Sequence, residues 1–278
     1  MDYKRILTVQ DISCVGQCSI TVALPILSAC GLETAVLPSA VLSTHTTGFD
    51  GFTFRDLSQD FPAIEQHWIN TGITFDAVYT GYLGSSQQVE YVLSIVKNCM
   101  GKQGLTFFDP AMADNGVLYP GFDHTYVAAM KKLCSHGDYI LPNITEACLL
   151  TDTVYKEQYD QTYIDLLLDR LTTQICPNVI LTGVSFTPDT TGIAVTEQGN
   201  RDYYCHRRLP RNTHGTGDVF SAAFVGAKLR GKTALEAAKI AGDYTIACME
   251  ATADDPSHWY GVKFEPVLGQ LIAQLNNC

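Results

Sequence analysis

RNTHGTGDVFSAAF, residues 211–224, sets two glycines around one threonine, follows them with a carboxylate and then runs into small and apolar residues. Gly215 and Gly217 let the backbone turn its N–H groups inward. The alanine-containing stretch behind them favours helix, so the partial positive end of that helix falls at the same spot. Together they make an anion hole, and Asp218 within it has two readings. As structure it is a first-turn acid that stabilises its helix by about 0.3–1 kcal/mol. As chemistry it is the base of phosphoryl transfer to an alcohol: N–H donors hold the transferring group while a carboxylate orients the hydroxyl and accepts its proton. On this stretch alone the two stand level.

Upstream, short β-branched runs alternate with helical patterns. RILTVQ leads to a helix over 18–31, TAVLPSAVL to 61–70, FDAVYTGYL to 86–100, LTFFDP to 123–135, DYILPN to 144–151 and 159–175, and NVILTGV closes the series. That rhythm is the signature of βαβ units and predicts an α/β fold, a mostly parallel sheet covered by helices on both faces. Ligands of such sheets sit at the carboxyl ends of the strands. GIAVTEQGNRDYYCHRRL (192–209) breaks the rhythm and reads as an antiparallel hairpin about a Gly-Asn turn at one edge. Helices over 217–230, 233–251 and 264–275 follow, the second opened by a Thr233–Glu236 capping box. With no repeat, low-complexity segment or Pro/Gly/Ser-rich linker, residues 1–278 read as one domain.

The composition, 46% hydrophobic and 17% charged, suits a globular chain, and the formal net charge of −11 opposes nucleic acid as a partner. His206, Arg207, Arg208 and Arg211 form the one basic cluster, read as a solvated strand end or a contact for a nucleotide phosphate. The ten cysteines show no C-x-x-C pair or zinc spacing, and several lie in apolar segments as buried thiols do. No apolar stretch is long and unbroken enough to span a bilayer, and the opening MDYKRILTVQ has no leader-like pattern. These features point to a reducing cytoplasm. GAKLRGKT (226–233) matches the P-loop pattern letter for letter. A P-loop needs a strand before it, however, and here a helix precedes, with Gly231 its C′ residue. NIT at 143–145 matches a glycosylation acceptor that a cytosolic chain would not present.

HGTGDVFSAAFVGAKLRGKTALEAA resembles the C-terminal signature of the ribokinase-like superfamily, and the resemblance to its pyridoxal and pyridoxamine kinases runs nearly end to end. It rests on LPSAVLSTHTTGF (37–49), GYLGS (81–85), DPAMADNGVLY (109–119) and PNITEA (142–147), in the family's order. The implied fold is a three-layer sandwich. The implied activity is ATP-dependent phosphorylation of the 5′-hydroxymethyl group of pyridoxal, pyridoxine or pyridoxamine, with magnesium and with a monovalent cation left open. Asp218 would be the base, and Gly215, Thr216 and Gly217 the anion hole. Asp109, Asn143 and Glu146 would order phosphate and magnesium, the metal through Asp109 and Glu146, and Thr182 and Gly183 would lie against the nucleotide. Ser13, His45, Thr46 and Tyr82 would receive the vitamin, their hydroxyl, imidazole and phenol groups answering its ring nitrogen and 3-oxygen. Met112–Tyr119, pivoting on Asn115-Gly116, would close over the phosphates and exclude water. A homodimer and no membrane partner are implied as well.

Each residue also has a plainer reading: Asp109 as a turn starter before proline, Glu146 as an early-helix acid, Thr182-Gly183 as a strand terminus, His45 and Tyr82 as satisfied structural side chains. QDISCVGQCS (10–19) has only Gly16 where sugar kinases of the superfamily carry a Gly-Gly pair, which counts against a sugar. Ala113 stands where the family loop commonly has glycine. The nearest rival is a hydroxymethylpyrimidine kinase, whose motif is G-T-G-C with cysteine in the place of Asp218. A non-catalytic vitamin-binding protein is the rival of another class.

Overall fold

The structure, a computed structural model, describes residues 3–209 and 214–276. The chain runs β1 (Arg5–Ser13), α1 (Ile20–Ala29), β2 (Glu33–Leu42), β3 (Phe54–Asp56), α2 (Phe61–Thr71), β4 (Phe75–Thr80), α3 (Ser86–Cys99) and β5 (Met100–Phe108). A small ribbon of β6 (Ala113–Asp114) and β7 (Val117–Leu118) precedes α4 (His124–Cys134), β8 (Tyr139–Ile140), α5 (Ile144–Leu150) and α6 (Gln161–Gln174). The remainder is β9 (Val179–Val184), β10 (Thr190–Glu197), β11 (Asn200–Arg207), α7 (Thr216–Leu229), α8 (Ala234–Ala253) and α9 (Leu268–Asn276).

Among the described residues nine strands form one sheet in the order β11-β10-β9-β8-β5-β4-β1-β2-β3. The inner strands pair in parallel, as βαβ crossovers require. Side chains alternate between two cores: Leu7 and Val9 of β1 pack under α2–α6, whereas Ile6 faces α1, α7, α8 and α9. The three-layer α/β sandwich expected from the sequence is the one observed.

Helix starts follow side-chain caps: Ser85, Asp123, Asn143, Asp160 and Thr233 each accept a first-turn amide proton. The Thr233–Glu236 capping box is present, and Asn143–Glu146 forms a second. The GAKLRGKT segment is the end of α7, and Gly231 follows at φ +90°, its N–H donating to Lys228 O at 3.0 Å. A P-loop is therefore ruled out. Gly226 serves packing instead, since a Cβ there would overlap Cys30, the residue that caps the end of α1.

Several boundaries differ from the sequence reading. The hairpin turn is Gln198-Gly199, with Asn200 already paired to Glu197; φ values of 51° and 83° make it the primed turn whose twist suits a two-residue hairpin. The opposite edge carries an unexpected antiparallel strand, β3 on β2. FDAVYTGYL stops being strand at Thr80, and β5 begins at Met100, directly after α3. The first helix opens at Ile20, and a 3-10 turn over Glu265–Val267 precedes α9.

The nine described cysteines are free, six of them buried. No helix among the described residues is long and apolar enough to cross a membrane. In the basic cluster Arg207 pairs with Glu250, while Arg211 lies outside the described residues.

Candidate active site

The carboxyl ends of the parallel strands carry Ser13 (β1), Tyr82 (after β4), Asp109 (after β5), Asn143 (after β8) and Thr182 and Gly183 (β9). Into the same rim comes the N-terminus of α7. Gly215 caps it at φ +77°, and a Cβ there would overlap the carbonyl oxygen of Gln17, so only glycine fits both the conformation and the space. Ser221, three residues beyond Asp218 and so on the same side of α7, donates its hydroxyl to Asp109 Oδ2 at 2.8 Å. That bond ties the helix start to the strand end.

Three carboxylates share this rim, and burial pushes each above the usual carboxylate range. Asp218, half-buried, rises to about 6: desolvation outweighs the N–H of Ser19, and the charge of Asp11 adds to it. Asp109 rises by desolvation, opposed by the Ser221 hydroxyl and reinforced by the charge of Asp218. Glu146 rises by desolvation and by the charge of Asp109, against backbone N–H groups of Asn143, Met112 and Ala113. A knot of acids that cannot all ionise comfortably in low dielectric is where cations and proton transfer are found.

Glu146 is fully committed to the backbone. Its Oε1 accepts from Met112 N at 3.1 Å and its Oε2 from Asn143 N at 2.8 Å. Asn143 Oδ1 accepts from Glu146 N at 2.9 Å, and Asn143 Nδ2 donates to Ala113 O at 2.8 Å. Thr182 joins this segment through a bond from its N–H to Pro142 O of 2.9 Å. Gly183 stands exposed at φ +76°, its carbonyl accepting from the Tyr159 hydroxyl at 3.2 Å.

On the β1 side, buried Ser13 donates to Asp11 Oδ2 at 2.9 Å. Asp11, also buried, is raised by desolvation against hydrogen bonds from Ser19 and Ser13, and its charge helps to raise the half-buried phenol of Tyr82. The imidazole of His45, expected to answer a ligand, has both ring nitrogens engaged within the chain. Its Nε2 lies 2.7 Å from the carbonyl oxygen of Tyr260, which can only accept, and its Nδ1 accepts from Thr47 N at 3.2 Å. The ring is thus the neutral Nε2–H tautomer with both nitrogens in use, and only its edge and faces remain for contacts. It meets Phe49 edge-on at 5.0 Å, and Phe49 meets Trp259 at 4.7 Å. Thr46 is exposed at the rim, outside this polar group.

Sequence reasoning missed Asp11, Ser19 and Ser221, and the segment 258–260 that walls the site. Asp11 reads as an ordinary polar residue at a strand end. Ser221, at helical spacing from Asp218, was the one with a findable signal.

Among the described residues no three His, Cys, Asp or Glu side chains form a metal cage. The donor set nevertheless suits magnesium, which keeps its waters and leans on one or two carboxylates plus substrate phosphates. Asp109 retains one oxygen beyond its Ser221 bond, whereas Glu146, both oxygens engaged, would act through water.

A three-layer sandwich with a glycine-capped helix start and a carboxylate at the strand ends defines a ribokinase-like phosphotransferase. The chain belongs to the phosphomethylpyrimidine kinase family, whose model matches residues 23–262. Among solved structures it is similar to a protein of Bacteroides thetaiotaomicron in a crystal form with pyridoxal, provisionally described as a phosphomethylpyrimidine kinase. That likeness has 34% identity and a TM-score of 0.91 over 97% of this chain and 96% of that one. It is also similar to the pyridoxal kinase of Lactobacillus plantarum, at 32% identity and a TM-score of 0.90 over 98% of each chain. A curated relative, a pyridoxal kinase of Burkholderia lata, is 31% identical over 185 residues, 63% of this chain and 61% of the relative.

Proposed function

We propose that this protein is an ATP-dependent kinase that phosphorylates the 5′-hydroxymethyl group of a vitamin B6 vitamer: pyridoxal, pyridoxine or pyridoxamine. The observation that carries the reading is Asp218, a carboxylate with its pKa raised to about 6, placed beside the glycine-capped start of α7. A base of that strength is ionised at neutral pH yet still accepts a proton from an alcohol as its oxygen attacks phosphorus. The N–H groups of Gly215, Thr216 and Gly217, with the helix dipole, hold the transferring phosphoryl group. Thr182 and Gly183 lie along the nucleotide, and Asn143 orients its phosphates. Asp109 and Glu146 would hold magnesium through its waters, and the metal would supply neutralisation of phosphate charge there. Asp11, Ser13 and Tyr82 offer a carboxylate, a hydroxyl and a phenol to the hydroxypyridine, His45 supplies a wall, and Thr46 lies at the mouth.

Support from relatives comes from the pyridoxal named in one similar crystal form and from the pyridoxal kinase of similar fold. The family's printed description favours a second reading, hydroxymethylpyrimidine as acceptor, although Asp218 stands where that motif has cysteine. The deciding experiment measures ADP and phosphorylated product with each vitamer and with hydroxymethylpyrimidine. Turnover of the pyrimidine alone would refute the B6 assignment, and binding without ADP would make the protein a carrier. The resemblance further supports a homodimer, and the free cysteines suit a reducing cytoplasm.

A further inference from the structure

The β6–β7 ribbon has a two-residue turn, Asn115-Gly116, at φ values of 49° and 79°. So small a ribbon does not hold itself in place. Its fixings come from the start of α5: Asn143 Nδ2 on Ala113 O, Glu146 Oε1 on Met112 N, and the Thr145 hydroxyl, which accepts from Gly116 N at 2.9 Å. The first two bonds hold the root. Thr145 alone of the three reaches the turn, and its side chain is almost wholly buried, at 4% exposure. Gly116 is pressed from the other side by the ring of Tyr155, which a Cβ at 116 would overlap. Just beyond the ribbon is Tyr119, whose phenol is raised by burial and then by the charges of Glu146, Asp114, Asp109 and Asp218. Tyr119, 37% exposed, is tied to the root of the ribbon by its N–H, which donates to Met112 O at 2.9 Å, and Met112 N in turn is held by Glu146.

We infer that Thr145 is a positioning residue: its hydroxyl seats the Asn115-Gly116 turn and thereby keeps the ribbon and Tyr119 over the phosphoryl-transfer site. This rests on the kinase reading above. With that bond lost, the turn lifts, water enters, and bound ATP is spent on hydrolysis instead of transfer. Valine keeps the shape of threonine without the acceptor oxygen, and serine keeps the oxygen without the methyl group.

The test compares the wild type with T145V and T145S, each with ATP, magnesium and pyridoxal, counting ADP released per vitamer phosphorylated and following exchange of the Gly116 amide by NMR. The expected result for T145V is about tenfold faster Gly116 exchange and ADP in clear excess over product, with T145S restoring both towards wild type. An unchanged ADP-to-product ratio in T145V overturns the inference even if exchange quickens, and so does a T145S that behaves like T145V. A T145V too unstable to isolate leaves the decision to T145S and T145A: the inference stands if serine keeps the ratio near one while alanine raises it, and falls otherwise. Wild-type protein that releases no ADP with any acceptor overturns the kinase reading and this inference together. Normal wild-type transfer with an unaffected ratio in the variants overturns this inference alone.

Discussion

Ser221 donates to Asp109 across a gap of 112 residues in sequence, and in doing so sets the α7 carboxylate against the β5 carboxylate. Asp109 and Asp218 each sit in a raised-pKa environment because neither is fully solvated. The bond fixes how far apart they stay.

Asp218→Asn removes the proton acceptor while keeping size and hydrogen-bonding shape. The turnover number should fall by about 10²–10⁴-fold with nucleotide affinity little changed, as measured by steady-state kinetics and by calorimetric titration of a non-hydrolysable ATP analogue.

Below pH 6 the same carboxylate should silence itself. Its folded pKa of about 6 lies above the ordinary value of 3.8, so activity of the free enzyme should climb as pH rises through about 6. Stability runs the opposite way for this group: the folded state holds the proton more tightly, so its contribution to folding improves as pH falls from about 6 towards 4. At pH 8, where burial of the charge costs most, Asp218→Asn should therefore be more stable than wild type by about 1–3 kcal/mol. Denaturant melts at pH 8 and pH 5 check this, and the gap should narrow at the lower pH.

Lys232→Ala should leave turnover within about twofold, because Lys232 follows the end of α7 instead of cradling phosphates. A collapse of activity would restore the P-loop reading, so this inexpensive assay separates the two motifs that compete for the same segment.

Gly215→Ala forces a Cβ onto the Gln17 carbonyl at a backbone angle of +77°. The loss should be at least about 1–3 kcal/mol of stability together with most of the activity, read by thermal melting and an ADP assay. Gly217→Ala meets nothing within 4 Å and is the matched control for stability.

His45→Ala cuts both the Tyr260 and the Thr47 bonds. Because the ring walls the β1 side of the rim, KM for the vitamer should rise at least about tenfold while KM for ATP stays nearly constant. Equal rises in both constants would argue for general unfolding instead.

Much of this is legible in the sequence. The strands announced themselves through β-branched runs such as NVILTGV, and α8 through Thr233 and Glu236, because both signals are local. Strand ends were less legible: GYL continues the apolar run of β4, yet the strand stops at Thr80, and position 81 takes a glycine because a Cβ there would collide with the buried Gln10 side chain. The hairpin turn was misplaced by one residue, since Gly-Asn and Gln-Gly both satisfy composition and only the pairing of Glu197 with Asn200 distinguishes them. In the site, Asp218 and its glycines stood out as a dense local motif. Asp11 did not, because its meaning lies in neighbours such as His45 and Asp218 that only folding brings near. His45 is legible as a site candidate but its partner is not: the carbonyl at its Nε2 belongs to a residue 215 positions away.

The packing of Gln17 against Gly215, with its side-chain amide on Glu265 Oε1 at 2.8 Å, bears on how the protein is made. A ribosome delivers β1 and its loop well before the start of α7 and Glu265 that complete them. Until those later segments follow, the loop after β1 lacks the contacts that complete it, however well the earlier strands have paired.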